Sequence, residues 1–434
     1  MSKSLVTPLV APMAAPLVRA AGVGGSGGSD GLTLVANNYL QPSRTFTRAS
    51  AGTNINAAGN FVEFGNNVPR FGRAGLLLEG QRTNAVRNPR GEGSTPPSGD
   101  PTHWTGLSGT SSGVTRTILG SGTANGLDYV DYSIVGTASS ALTLIPRFET
   151  VGNISAANNQ TWTQGVFLSW VSGSPALIEA VQAIRMYDAG NALTGSSGLL
   201  SGALPITSTP TRFVQTATIP LGQSPAVASV EPGLRISIPS GTVCAHVLRI
   251  GWPSAEQADF ASSSILPAPA VLAASTRLDD NLSWALAGLG VPATGICTVF
   301  GAAVFNSRTD SENRSIVQID DGTRNNRFLL RMSGGGSIQT LRVLSTVSAF
   351  GGVAGSPVAG VEFRFAVAFD GAGKITASMN GAAVSTVSGG PVAGMTTMRV
   401  GNDTTAAFMF GSLPNVAVYP GVSVPDAALR ALAT

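Results

Sequence analysis

Residues 362–387 read EFRFAVAFDGAGKITASMNGAAVSTV. Apolar and polar side chains alternate on both sides of Asp370-Gly371 and Gly373, the turn chemistry of a β-hairpin. A stretch of this kind predicts two paired strands, and its neighbours repeat the pattern. TGICTVFGAAVF, SIVQIDDG, NRFLLRMSGG and TLRVLST come before it, and TTMRVGND and NVAVYPG follow. Residues 268–434 therefore read as one all-β unit. The unit ends in SVPDAALRALAT, a short helix with Pro425 at its first turn and Asp426 near its positive end.

The same reading extends upstream. LDYVDYSIVG, TWTQGVFLSWV, RFVQTATIP, GLRISIPSG and AHVLRIGWP recur at spacings near ten residues, which suits an antiparallel sandwich over 88–267. NQ, SGSP, DAGN, EPG and PSG read as the turns between them. ALIEAVQAIRMYD fits a helix by periodicity, but its turn-rich flanks and strand neighbours favour a strand. AAGNFVEF, around Gly59 and Asn60, reads as a hairpin turn entering a strand.

Composition agrees. Of the 434 residues, 54 are glycine and 26 proline, with 43% apolar and only 11% charged. Ordinary soluble domains carry roughly a quarter charged residues. Such a surface is expected to be covered by other subunits, so an obligate homo-oligomer or a component of a larger assembly is expected. The net charge of +3 is too small to imply nucleic acid. His103, His246, Cys244 and Cys297 lack the spacing of a zinc site, and the two cysteines read as small buried apolar residues.

The chain opens differently. LVTPLVAPMAAPLV, from Leu5 to Val18, places Pro8, Pro12 and Pro16 every fourth residue. Prolines so placed block a helix, and without one the backbone cannot satisfy itself in lipid, so a membrane span is excluded. A signal peptide, a disordered tail and an extended arm docking into a partner's groove remain, and the arm (residues 1–20) is the preferred reading. A Gly/Ser linker, 21–31, follows. Residues 32–87 then form an Arg-rich β/loop segment including Arg70 and Arg73. Its arginines either cap carbonyls in meandering loops or present a docking face to an acidic partner.

At this point the motifs take on a family likeness. FTRASAGTNINAAGNFVEFGNNVPRF followed by GLLLEGQRTN resembles a segment shared by tailed-phage virion proteins. RNPRGEGSTPPSGDPTHW and GLDYVDYSIVGT resemble the start of the carbohydrate-binding-module-like jelly roll of those proteins. LRIGWPSAEQADFASSSILPAPAVLAASTRLDD looks like its last strand and exit linker. RFAVAFDGAGKITASMNG, MRVGND and VAVYPGVSVPDAALRAL are similar to a concanavalin A-like (laminin-G-like) sandwich. The resemblance implies a fibre or spike on a phage or phage-like particle, assembled in the bacterial cytoplasm. The arm would insert among other virion proteins through Leu5, Pro8, Pro12 and Pro16, with Arg70 and Arg73 docking beside it. The sandwiches would meet host capsule or lipopolysaccharide, and such spikes are most often trimers. The alternatives are a capsid or tail decoration protein that binds no glycan and a capsule depolymerase.

Little in the sequence suggests catalysis, and no enzyme is expected. Glycan cleavage wants two carboxylates flanking one bond. The adjacent pairs Asp279-Asp280 and Asp320-Asp321 would point to opposite faces of a strand. QIDDGTRNN either offers Asp320 and Asp321 oxygens to Ca²⁺, as concanavalin-like domains sometimes do, or is a plain hairpin turn. No other cofactor is expected. Sugar binding needs an aromatic platform with a few hydrogen bonds. Trp162 and Trp170 are eight apart and share a strand face. With Trp104 and Tyr187 they are the candidate platform, the alternative being that they are core. Trp252 reads as packing.

Overall fold

A computed structural model describes residues 31–36, 38–173, 178–195, 198–307, 312–390, 394–404 and 407–434. The arm, nearly all of the linker, and Leu5, Pro8, Pro12 and Pro16 lie outside the described residues. The chain is all-β, in antiparallel sheets, with one α-helix among the described residues, Asp426–Leu432. Among the described residues no helix is long and apolar enough to cross a membrane.

The hairpin expected around Asp370-Gly371 forms as Phe363–Phe369 paired with Ile375–Met379. Gly371 and Gly373 take φ of +74° and +94°, and Asp370 Oδ1 accepts the amides of Ala372 and Lys374. The apolar face of the hairpin, Phe365, Val367, Phe369, Ile375 and Ala377, is fully buried. It belongs to a nine-stranded sheet facing a seven-stranded one. Glu179–Tyr187 is a strand, and Gly52–Ile55 pairs with Phe61–Phe64 around the turn at Gly59.

Residues 32–87 are not a separate docking segment. Leu32–Ala36 pairs with one part of Gly411–Pro420 and Gly75–Leu78 with another, while Arg44–Thr47 closes the edge of the seven-stranded sheet on Asn281–Ala285. The reason is burial: Leu34, Val35, Leu76 and Leu78 are apolar, and Gly411–Pro420 has Cys297–Phe305 along its other side only. All four side chains end in the core of the C-terminal sandwich. The second sandwich is thus inserted between the first strands of the C-terminal one and the rest of it. Arg82–Asn84 pairs with Ser275–Arg277 where the chain leaves and returns.

The inserted sandwich has a six-stranded and a five-stranded sheet. Its core gathers residues from Val86 to Ala255. The hairpin at Gly52–Phe64 bridges to it through Phe61, which meets Phe167 and Trp252 edge-on at 4.8 and 5.3 Å.

At the neck lies a cluster of buried charge. Arg48, Arg70 and Arg277 surround Glu79 and Asp280, and all five side chains are shut off from solvent. Arg48 Nη1 lies 3.0 Å from Asp280 Oδ1, and Arg70 Nη1 lies 2.9 Å from Glu79 Oε2. The guanidiniums also donate to carbonyls of Thr53, Gly65 and Gly80. Arg70 therefore caps and clamps rather than docks, because its burial leaves nothing for an outside partner; Arg73 is exposed.

This cluster sets an acid limit. Burial alone would raise the Glu79 carboxyl, but Arg277, Arg70 and two hydrogen bonds from Ser263 hold it at about 2. A carboxylate whose folded value is depressed contributes stability above its unfolded value of 4.5 and loses it as pH falls towards 2. Chemical-denaturant midpoints are expected to fall steeply across that window, and Glu79→Gln to flatten the decline. A midpoint unchanged between pH 5 and pH 2.5 would count against the cluster.

Candidate glycan-binding face

Strands Glu179–Tyr187 and Ser229–Ile238 form the middle of the five-stranded sheet. Ala180, Ile184, Met186, Val230, Leu234 and Ile236 point into the core. Alternation sends the intervening residues to the other face. There Glu231 stands opposite Arg185, Gly233 opposite Ala183 and Arg235 opposite Val181. The edge segment adds Arg147, which bridges to Gly233. EPG, expected as a turn, is mid-strand. Gly233 is required there because a Cβ would come within 2.4 Å of the Pro146 carbonyl oxygen.

Charge is unevenly matched on this face. Tyr187 donates its hydroxyl to Glu231 Oε2 at 2.6 Å. Arg147 Nη1 stops 3.7 Å from Glu231 Oε1, and Arg185 Nη1 stops 3.8 Å from Oε2. The guanidinium of Arg185 also lies over the Tyr187 ring, 5.4 Å from its centroid. Burial, then the bond to Glu231, pushes the Tyr187 hydroxyl up to about 12. Burial raises the Glu231 carboxyl against the opposing pull of Tyr187 and the two arginines. The Glu231 side chain is fully buried, whereas Arg147 and Arg185 keep 31% and 19% of theirs exposed. At the far end of the sheet a cleft of about 490 Å³ opens between Thr143, Glu179, Ser237 and Pro239.

The tryptophans expected as a platform are core. Trp104, Trp162 and Trp170 are 3–6% exposed, inside the sandwich. Trp162 and Trp170 do share a face, but it is the inner one, where wide apolar rings fill the gap between sheets. Trp104 donates its Nε1–H to the Asn88 carbonyl at 2.8 Å and packs edge-on against Phe148. Tyr187 is also buried, so of the four it alone belongs to this face, as the holder of Glu231 rather than as an open stacking surface. Trp252 packs as expected.

Asp320 is buried, with Arg399 Nε 2.8 Å from its Oδ2 and the Gly322 amide on its Oδ1. The Asp321 carboxylate is occupied by Thr323 and Asn326 within the turn. Among the described residues no three His, Cys, Asp or Glu side chains gather as metal ligands do.

Arg147, Arg185 and Glu231 escaped the sequence reading. Arg185 and Tyr187 were visible as a same-face pair once IRMY was read as strand. Glu231 was hidden by taking EPG as punctuation.

No protein-family model matches the chain, and no curated protein does. Solved structures are similar in part. One is the CBM40 of the Ruminococcus gnavus IT-sialidase bound to α2,6-sialyllactose: 16% identity over 34% of this chain and 87% of that one, TM-score 0.29. The tandem CBM22 of Paenibacillus barcinonensis Xyn10C is 9% identical over 79% and 97%, TM-score 0.26. The tripod of the bacteriophage Tuc2009 baseplate is 13% identical over 75% and 98%, TM-score 0.26. The neighbours thus include carbohydrate-binding modules and a phage baseplate component, each a weak and partial likeness.

Proposed function

We propose that this chain is a surface appendage of a phage or phage-like particle that binds host capsule or lipopolysaccharide. The binding element is the outer face of the five-stranded sheet. One observation carries the reading: Arg147, Arg185 and Arg235, each half-buried, share a sheet face with Glu179 and Ser237, which line a cleft of about 490 Å³. An extended polysaccharide suits such a strip, since a sheet face offers repeated hydrogen-bonding groups along one direction. The order of the sequence motifs along the chain supports the particle assignment. The N-terminal arm serves as the anchor, and the appendage is a homotrimer without catalytic activity, metal or nucleic acid.

A second reading, a decoration protein that only cements its neighbours, draws on the opposite sheet. Val135, Val171 and Val243 are 49%, 51% and 64% exposed there. Binding of the full chain to whole host cells and purified capsule decides between the two. Ser237→Trp, which fills the cleft, is expected to weaken polysaccharide binding at least about tenfold, or ~1.4 kcal/mol. Unchanged affinity in Ser237→Trp would move the site elsewhere, and absence of any glycan binding would favour the cement role.

A further inference from the structure

We propose that the sugar gripped by this face carries a carboxylate, held jointly by Arg147 and Arg185. The inference rests on the glycan-binding reading above and names its ligand class.

Among the described residues most other arginines close tightly on their carboxylates. Arg249 meets Asp131 at 2.8 Å, Arg399 meets Asp320 at 2.8 Å, and the neighbouring Arg87 meets Glu149 at 2.6 Å. Arg147 and Arg185 instead stand off at 3.7 and 3.8 Å, beyond hydrogen-bond reach of Glu231. Two cations share one buried anion, which leaves a positive charge uncompensated. Glu231 Oε1 and Arg147 Nε are buried and make no hydrogen bond. Arg235, on the same face, makes no side-chain hydrogen bond or ion pair among the described residues.

Between Arg147 and Arg185 the face is therefore rich in donors and poor in accessible acceptors, the exposed carboxylate of Glu179 lying at the cleft end of the sheet. Guanidinium has donors only, and the carboxylate that could accept is shut away with Tyr187. Neutral sugars offer hydroxyls that both donate and accept, so they would use such a face badly. A ligand carboxylate suits two planar forks, each of which can take it by paired N–H groups. Glu231 acts as a positioning residue: it keeps two like charges side by side at distances beyond a hydrogen bond, with Arg147 also reaching towards the Tyr187 hydroxyl.

The test uses the full chain and a panel of acidic and neutral bacterial capsular and O-antigen polysaccharides. Each is presented native and after chemical reduction of its carboxylates to alcohols, and affinity is read by titration calorimetry. The expected result is that binders carry carboxylates and that reduction weakens them about 10- to 100-fold, the range for losing hydrogen bonds to a charged group. Arg147→Gln and Arg185→Gln should each reproduce that loss, and Arg185→Lys should recover only part of it. Binding that survives reduction, whether to neutral polymers or to phosphate-bearing ones, overturns the carboxylate assignment while leaving glycan binding in place. Failure to bind any polysaccharide overturns both.

Discussion

Residues 268–434 expressed alone are expected to remain unfolded, although their sequence reads as a complete sandwich. Cutting there removes Leu34, Val35, Leu40, Leu76 and Leu78 from the core, each at most 7% exposed in the whole chain. At about 1.5–3 kcal/mol per buried side chain, that is roughly 8–15 kcal/mol, comparable with the entire stability of an ordinary domain. It also leaves one side of Gly411–Pro420 unpaired, an open strand edge inviting aggregation. Residues 84–267, by contrast, retain their own core and should fold alone, with Phe167 and Trp252 newly exposed where Phe61 covered them. Joining residues 31–84 to 275–434 through a short Gly-Ser linker should restore the C-terminal sandwich, because Asn84 and Ser275 are already paired neighbours. Circular dichroism and amide dispersion in NMR spectra read the result. A cooperative unfolding transition in 268–434 alone would show that the N-terminal strands are dispensable.

Pairing of the N-terminal strands with the C-terminal sandwich lies beyond what the sequence reveals. Local signals were reliable. Asp370, Gly371 and Gly373 specify a tight turn by their own chemistry, and Pro425 with Asp426 starts the final helix. The strand at Glu179–Tyr187 follows from its surroundings. Pairings between distant segments were not legible. Leu32 meets Val418, and nothing in LTLVA identifies its partner nearly four hundred residues away. Side-chain destination failed for a related reason. A tryptophan on a strand has two faces to choose from, and alternation does not say which face the second sheet will cover. The arginines of residues 32–87 look alike in sequence, yet Arg70 is sealed within the neck and Arg73 is exposed. Only the assembled neighbours, Glu79 from one strand end and Asp280 from beyond the inserted sandwich, distinguish them. At the candidate face, Arg185 and Tyr187 were accessible from alternation alone. Glu231 was not, because a Glu-Pro-Gly sequence ordinarily breaks a strand. Here it is tolerated because the edge segment crosses at Gly233.

Asp280→Ala is expected to destabilise the C-terminal sandwich by about 3–5 kcal/mol, the cost of removing one partner from a buried ion cluster. Asp280 accepts from Arg48 on one oxygen, and from Arg70 and the Glu79 amide on the other. Its loss leaves Arg48 and Arg70 close together without solvent, where Arg70 already opposes the charged state of Arg48. Glu79 remains, but it is shared between Arg70 and Arg277 and cannot neutralise three cations. Asp280→Asn keeps the volume and some hydrogen bonds while removing the charge, so it should fall between the parent and the alanine variant. At roughly 2–4 °C per kcal/mol, the alanine variant should lower the melting transition by about 10 °C. The inserted sandwich has a separate core and should melt as before, so calorimetry is expected to separate two transitions in the variant. If both transitions moved together, the neck would be coupling the two cores into one cooperative unit. If neither moved by more than a degree or two, the buried charges would be no more than tolerated, and the N-terminal strands would be held by their apolar contacts alone.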